Sequence, residues 1–130
     1  MTSVALDTNV AIEVLNGKLQ TVQILRTYGL IYLPVVVCGE LLFGAKNSAR
    51  SASNEERCRQ FIEQCEIIES NSLVAEQYAS IRLELKRKGK PIPENDIWIA
   101  ALCIIHDIPL FSHDGHFLHI ERPQRIPTSS

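Results

Sequence analysis

Residues 97–105 (Ile, Trp, Ile, Ala, Ala, Leu, Cys, Ile, Ile) run apolar without a break. A helix built from them has no wet face, so it belongs deep in a core. Pro91 and Pro93 stop any helix arriving from upstream, and Glu94 or Asn95 can cap the new one. Residues 108–112 then fit a short strand, with Pro109 near its start, where a missing N–H is tolerated. A carboxylate stands at each edge of this apolar unit: Asp96 in the first helical turn, and Asp114 just past the strand. Acids at the mouth of an apolar unit need a reason, and these suggest a metal ion.

The rest of the chain supplies two more such acids. Residues 2–6 read as a short apolar strand that ends at Asp7, and Asn9 can cap a helix over 10–15, stopped by Asn16 and Gly17. Asp7 therefore sits at the carboxyl end of a strand, where open α/β sheets place their ligands. A helical stripe covers 19–28, a second strand 30–33 closes at Pro34, and a third helix spans about 36–47. That helix carries Glu40 about one turn in, lacks a Ser, Thr, Asp or Asn cap, and has Gly44 on the face of Glu40, leaving room for a close approach. Residues 48–54 read as a polar loop, 55–65 as an amphipathic helix, and 66–70 as an edge strand. Asn71 or Ser72 caps a long helix whose stripe is Val74, Tyr78, Ile81 and Leu85, and Gly89 ends it. After Phe117 there is room for one more short strand.

This order predicts an α/β domain over residues 1–130, with a mostly parallel sheet and helices on both faces. In such a fold Asp7, Glu40, Asp96 and Asp114 can converge at one sheet edge. Each acid alone reads as a turn, cap or surface residue; their joint placement is the signal.

Charge and cysteine content narrow the classes. The net charge is −2, which argues against a protein that coats nucleic acid non-specifically. The distribution is less even: Arg82, Lys86, Arg87, Lys88 and Lys90 face only Glu84, and Arg122 and Arg125 follow in the tail. Arg82, Lys86, Lys88 and Lys90 are thus candidate RNA contacts beside an acidic pocket, or else a solvated helix end complementing the dipole. Cys38, Cys58, Cys65 and Cys103 form no CxxC pair and read as reduced, packed thiols. No run matches a membrane span or a signal peptide, so the expected compartment is the cytoplasm.

Four segments carry a family resemblance: Leu6–Asn9 and Gly39–Ala45, then Pro93–Ala101 and Ser112–Phe117. In that order and spacing the sequence resembles PIN-domain ribonucleases, specifically the VapC toxins of VapBC toxin–antitoxin pairs. The resemblance covers nearly the whole chain. It implies a three-layer α/β/α sandwich with about five parallel strands, and a homodimer. It also implies Mg²⁺- or Mn²⁺-dependent hydrolysis of RNA by the cluster Asp7, Glu40, Asp96 and Asp114, with neutralisation by a VapB-type antitoxin packed into an apolar groove. The family mechanism leaves a 5′-phosphate and a 3′-hydroxyl. A structured RNA such as tRNA is the favoured target class. Two departures stand out: Ser112 where many relatives carry Thr, and a valine run before Glu40 in place of a hydroxyl-bearing turn.

The residues suit that chemistry. Crowded carboxylates repel and tend to hold protons, and a divalent cation reverses the balance. Asp7 and Asp114 are the first choices for direct or water-mediated ligands, and Asp96 should stay ionised at its helix N-terminus. Glu40 can orient a metal-bound water or take its proton, while Asn9 and Ser112 can orient carboxylates from behind. Three rivals stay open. His113, His116 and His119 could serve a metal-free RNase, although three histidines beside a turn read more simply as surface and packing residues. Asp7 could be a phosphoacceptor, but no second aspartate follows two residues on. The acids could also bind metal for structure alone, in a non-catalytic partner-binding module.

Overall fold

The computed structural model describes residues 2–120, so Arg122, Arg125 and any strand beyond residue 120 lie outside the described residues. Four strands, β1 (Ser3–Leu6), β2 (Leu30–Pro34), β3 (Glu66–Ile68) and β4 (Leu110–Phe111), form one sheet in the order β3-β2-β1-β4. All three pairings are parallel. Successive strand residues point to opposite faces, yet Val4, Ala5 and Leu6 are all fully buried. Both faces of the central strand are therefore covered, as parallel sheets require. The result is the expected three-layer α/β/α arrangement.

Six helices provide the cover: α1 (Thr8–Leu15), α2 (Leu19–Leu25), α3 (Val35–Lys46), α4 (Ser51–Glu63), α5 (Ser72–Lys88) and α6 (Glu94–His106). Helix α6 is the dry one. Ile97 and residues 99–104 are buried, and within 97–105 only Trp98 and Ile105 keep partial access to solvent. Trp98 stacks on Tyr78 of α5, with ring centroids 3.9 Å apart. The helix ends on Asp107 in the left-handed region (φ 54°), with the Ile108 N–H on the Cys103 carbonyl and the Asp107 N–H on that of Ile104. That closure turns the chain straight back into β4.

Several local expectations shift. Asp7, not Asn9, caps α1: its side chain accepts from the Val10 N–H at 2.9 Å. Neither Glu94 nor Asn95 caps α6; Pro93 occupies the cap with no side-chain bond, its fixed φ leading into the first turn. Helix α2 stops at Leu25, and α4 begins at Ser51, inside the segment read as a loop. Strand β4 is only Leu110–Phe111, and β3 reaches only Ile68. Residues 115–119 form a 3-10 turn, Gly115–His119. Asn71 does cap α5, and Gly89 ends it at φ 68°, a conformation glycine adopts freely. All four cysteines are free, and burial pushes the thiols of Cys65 and Cys103 up to about 12, so neither is reactive. Among the described residues no helix is long and apolar enough to cross a membrane.

Candidate metal centre

The carboxyl ends of β1 and β4 lie side by side because Ala5 pairs with Leu110 and Leu6 with Phe111. The chain leaves those ends as Asp7 and Ser112. Ser112, fully buried, donates its hydroxyl to the second Asp7 oxygen and accepts the Asp114 N–H at 2.9 Å. One buried hydroxyl thus ties together two acids 107 positions apart in name and adjacent in space. Helices α3 and α6 bring the other two. Glu40, in the second turn of α3, accepts the Thr8 hydroxyl at 2.6 Å, and Asp96 lies in the first turn of α6.

A cleft of about 410 Å³ opens above these ends. Its walls include Asp7, Asn9, Glu40, Asp96 and Asp114 together, with Thr8, Pro93, Glu94, Asn95 and His116. Five of those ten residues are acids, and none is a lysine or arginine. The electrostatics follow from that imbalance. Burial pushes the Asp7 carboxyl above its ordinary value, and the charges of Asp96 and Asp114 add to the rise, against hydrogen bonds from Ser112 and Val10. Asp96 is raised too, first by burial and then by Asp114 and Glu40, with His116 opposing. The helix N-terminus therefore does not hold Asp96 low.

Sequence reasoning gave two residues here no part in the acid cluster. Thr8 gave no signal, since only the tertiary approach of α3 to α1 supplies its partner. His116, read as a surface residue, lies inside the cleft: its Nδ1 is 2.9 Å from Asp96 and 3.0 Å from Asp114. One ligand atom from each of these three residues lies within 4.8 Å of the other two. Asp7, a first choice for direct ligation, has each oxygen engaged, by Val10 and by Ser112. A carboxylate offers about four acceptor sites, so it still presents charge and lone pairs to the cleft. His113 points elsewhere, to Glu13 at 3.1 Å.

The basic residues do not line the cleft. Arg82 and Lys86 border a neighbouring cavity that shares Glu94 with it, and Arg82 bonds to the Tyr78 hydroxyl at 2.8 Å. Lys88 pairs with Glu84 at 2.8 Å and reaches the His119 carbonyl, while Lys90 lies exposed in the connection to α6. Arg82 and Lys86 are thus placed next to the cleft through Glu94, and no described contact places Lys88 or Lys90 beside the acids.

Comparison with known proteins meets this geometry from outside. The family model for the PIN domain matches residues 4–123. A protein named Ribonuclease VapC2 from Rickettsia felis is 27% identical over 126 residues, covering 94% of this chain and 90% of its own length. Another Ribonuclease VapC2, from Haemophilus influenzae, is 32% identical over 100 residues, which is 74% of each chain. Among solved structures, VapBC2 from Rickettsia felis bound to a DNA fragment from their promoter superposes with a TM-score of 0.86 at 24% identity, over 96% of this chain and 98% of that one. Fold, cleft and sequence thus agree: the chain belongs to the PIN-domain family, in its VapC branch.

Proposed function

We propose that this protein is a toxin endoribonuclease that hydrolyses RNA phosphodiester bonds with a divalent ion, Mg²⁺ or Mn²⁺, held by Asp7, Glu40, Asp96 and Asp114. The observation that carries the reading is that these acids, far apart in sequence, line one cleft with no lysine or arginine among the described residues of its walls. The donor set fits the ion. Hard divalent cations take carboxylate oxygens, and burial plus mutual repulsion leaves Asp7 and Asp96 poised to gain from one.

Asp96 and Asp114 form the nearest ligand pair, and Asp7 adds charge from the floor. Ser112 fixes Asp7 and, through the Asp114 N–H, the start of the next turn, so both strand ends keep their aim. Thr8 holds Glu40 at the rim of the cleft, where its free oxygen can orient a water or accept its proton. Asn9, on the first turn of α1, lines the same wall and is suited to orienting a carboxylate or a phosphate. A bound divalent ion supplies Lewis acidity, polarising the scissile phosphate and making water more acidic. Arg82, Lys86, Lys88 and Lys90 offer phosphate contacts outside the cleft, where they neither fill it nor neutralise it.

A VapB-type antitoxin is the proposed partner. A groove of about 360 Å³ between α1, α3 and α4 is lined by Ile12, Leu15, Leu41, Gly44 and Ala45, with Asn16, Asn54 and Arg57 beside them, and shares Glu40 with the acid cleft. A Cβ built at Gly44 would meet nothing within 4 Å, so the room at that glycine faces the groove. An antitoxin segment there would lie within reach of the acids. The protein is further proposed to act in the cytoplasm, as one nuclease domain in a homodimer, on structured RNA such as tRNA.

The test is to induce the protein and sequence the 5′ ends of the RNA fragments, wild type beside Asp7→Asn. Discrete 5′-phosphate ends that appear only with the wild type, and that EDTA abolishes in vitro, are expected. Cleavage that survives chelation would return the reading to a histidine RNase.

A further inference from the structure

His116 is the one imidazole among the described residues lining the cleft, and it touches two of the four acids at once. Its Nδ1 lies 2.9 Å from Asp96 Oδ2 and 3.0 Å from Asp114 Oδ1. A single N–H would have to divide itself between two carboxylates. Those two separations also fit a shared cation, and one ligand atom from each of the three residues lies within 4.8 Å of the other two. Ligands at right angles around an octahedral ion, each about 2.1 Å away, stand about 3.0 Å apart. The backbone favours the arrangement as well: Asp114 Oδ1 caps the 3-10 turn by accepting the His116 N–H at 2.9 Å, which fixes where the ring starts. The side chain is 44% exposed, so an ion can reach the ring from solvent.

We propose that His116 is a nitrogen ligand of the divalent ion, completing a mixed oxygen–nitrogen set with Asp96 and Asp114 and tilting the site toward first-row ions such as Mn²⁺ over Mg²⁺. The assignment rests on the reading of the cleft as a metal centre. Magnesium takes oxygen ligands, whereas an imidazole contributes more to the affinity of transition ions, so one such ligand separates the two metals. His113 is the internal control, being three residues away and engaged with Glu13.

Electron spin-echo spectroscopy of Mn²⁺ bound to the full-length chain tests this directly, because it records nitrogen coordinated to the ion without recourse to activity. The wild type should show coupling to a directly bound ¹⁴N that changes to the ¹⁵N pattern on histidine-specific labelling. His116→Gln should lose that coupling and weaken Mn²⁺ binding by about tenfold or more, with a much smaller change for Mg²⁺; His113→Gln should retain both. Mn²⁺ bound in the wild type without nitrogen coupling, but lost in Asp96→Asn, would overturn the assignment and leave the metal centre standing. No Mn²⁺ binding at all would overturn both. Should His116→Gln fail to fold, loss of the labelled histidine coupling in His113→Gln would overturn the assignment instead.

Discussion

Two histidines three residues apart, His113 and His116, each meet an acid from a different helix, and the two pairs are electrostatic opposites. Glu13 meets His113 at 3.1 Å, and Asp96 meets His116 at 2.9 Å. Burial pushes the Glu13 carboxyl up, but hydrogen bonds from Thr21, Lys18 and His113 overcome that and hold it below its ordinary value. Asp96 has one histidine against burial, Asp114 and Glu40, and ends up raised. The first acid is satisfied by the protein's own donors; the second is buried beside other acids, and its one histidine does not offset that. Contact with a histidine therefore does not mark a site. An unmet charge in a cleft does.

The largest effect that would break this comparison is catalytic. Asp7→Asn or Asp96→Asn should lower the rate of RNA cleavage by about a hundredfold, since each removes a charge facing the ion while preserving shape. Glu13→Gln should stay within about twofold of wild type, because it removes a charge the protein already balances. Circular dichroism must show all three folded. Equal losses in both sets would erase the distinction.

Metal binding should sharpen it next. An ion that binds only the folded chain stabilises it by about 2.7 kcal/mol when present at a hundredfold excess over its dissociation constant. Thermal melts with Mn²⁺ against EDTA should show that gain in the wild type and in Glu13→Gln, and little of it in Asp96→Asn. A full gain in Asp96→Asn would place the ion elsewhere.

The pH dependence should then run in opposite directions. A carboxyl whose folded pKa lies above its unfolded value favours the fold fully below the unfolded value, and that contribution is lost as pH rises through the folded one. Asp7 and Asp96 belong to this kind, with ordinary values of 3.8. In EDTA, Asp7→Asn should therefore gain stability relative to wild type as pH climbs from the acid range to neutrality. Asparagine keeps an oxygen for the Val10 N–H, so the helix cap is retained. Melting temperatures of the two proteins across that range measure the difference, and a constant offset would contradict the raised pKa.

What the sequence disclosed and what it hid divide along the same line. The unbroken apolar run of α6 and the acids at its borders were legible because burial and strand-end placement are properties of the local pattern. The helix starts were not. Asp7 and Asn9 are equally good caps by residue type, and only the pairing of Leu6 with Phe111 decides where β1 stops and therefore which of them caps. The start of α4 was hidden for a different reason: Ser51 to Asn54 carry no apolar stripe, and the segment is held to α3 in part through Lys46 and Glu55, 2.8 Å apart. His116 could not be told from His113, since what separates them is the 3-10 turn that aims one ring at a residue 20 positions upstream. Convergence of the four acids was expected from topology, and Ser112 was expected to orient a carboxylate, as it does for Asp7; the Thr8 hydroxyl on Glu40 and the His116 ring on Asp96 were not.

The smallest effect belongs to Glu13 itself. Its folded pKa is depressed below the ordinary 4.5, so its contribution is present above that value and is lost as pH falls through the folded one. Its partners are partly open to solvent, with Lys18 at 51% and His113 at 37% exposure, which limits what the ion pairs can contribute. Glutamine in its place still offers an oxygen to the buried Thr21 hydroxyl, now 2.6 Å from the carboxylate, so no polar group is orphaned. Only the charge goes. Glu13→Gln should thus cost about 0.5 kcal/mol in denaturant unfolding near neutral pH. The cost should shrink in about 1 M salt, where surface charges are screened within a few ångströms, and vanish in acid, where the native glutamate is protonated too. A loss several times larger, insensitive to salt, would mean that Glu13 braces the strand ends as well as balancing His113. The contrast between a settled acid and an unsettled one would then have to be redrawn as one between two structural supports.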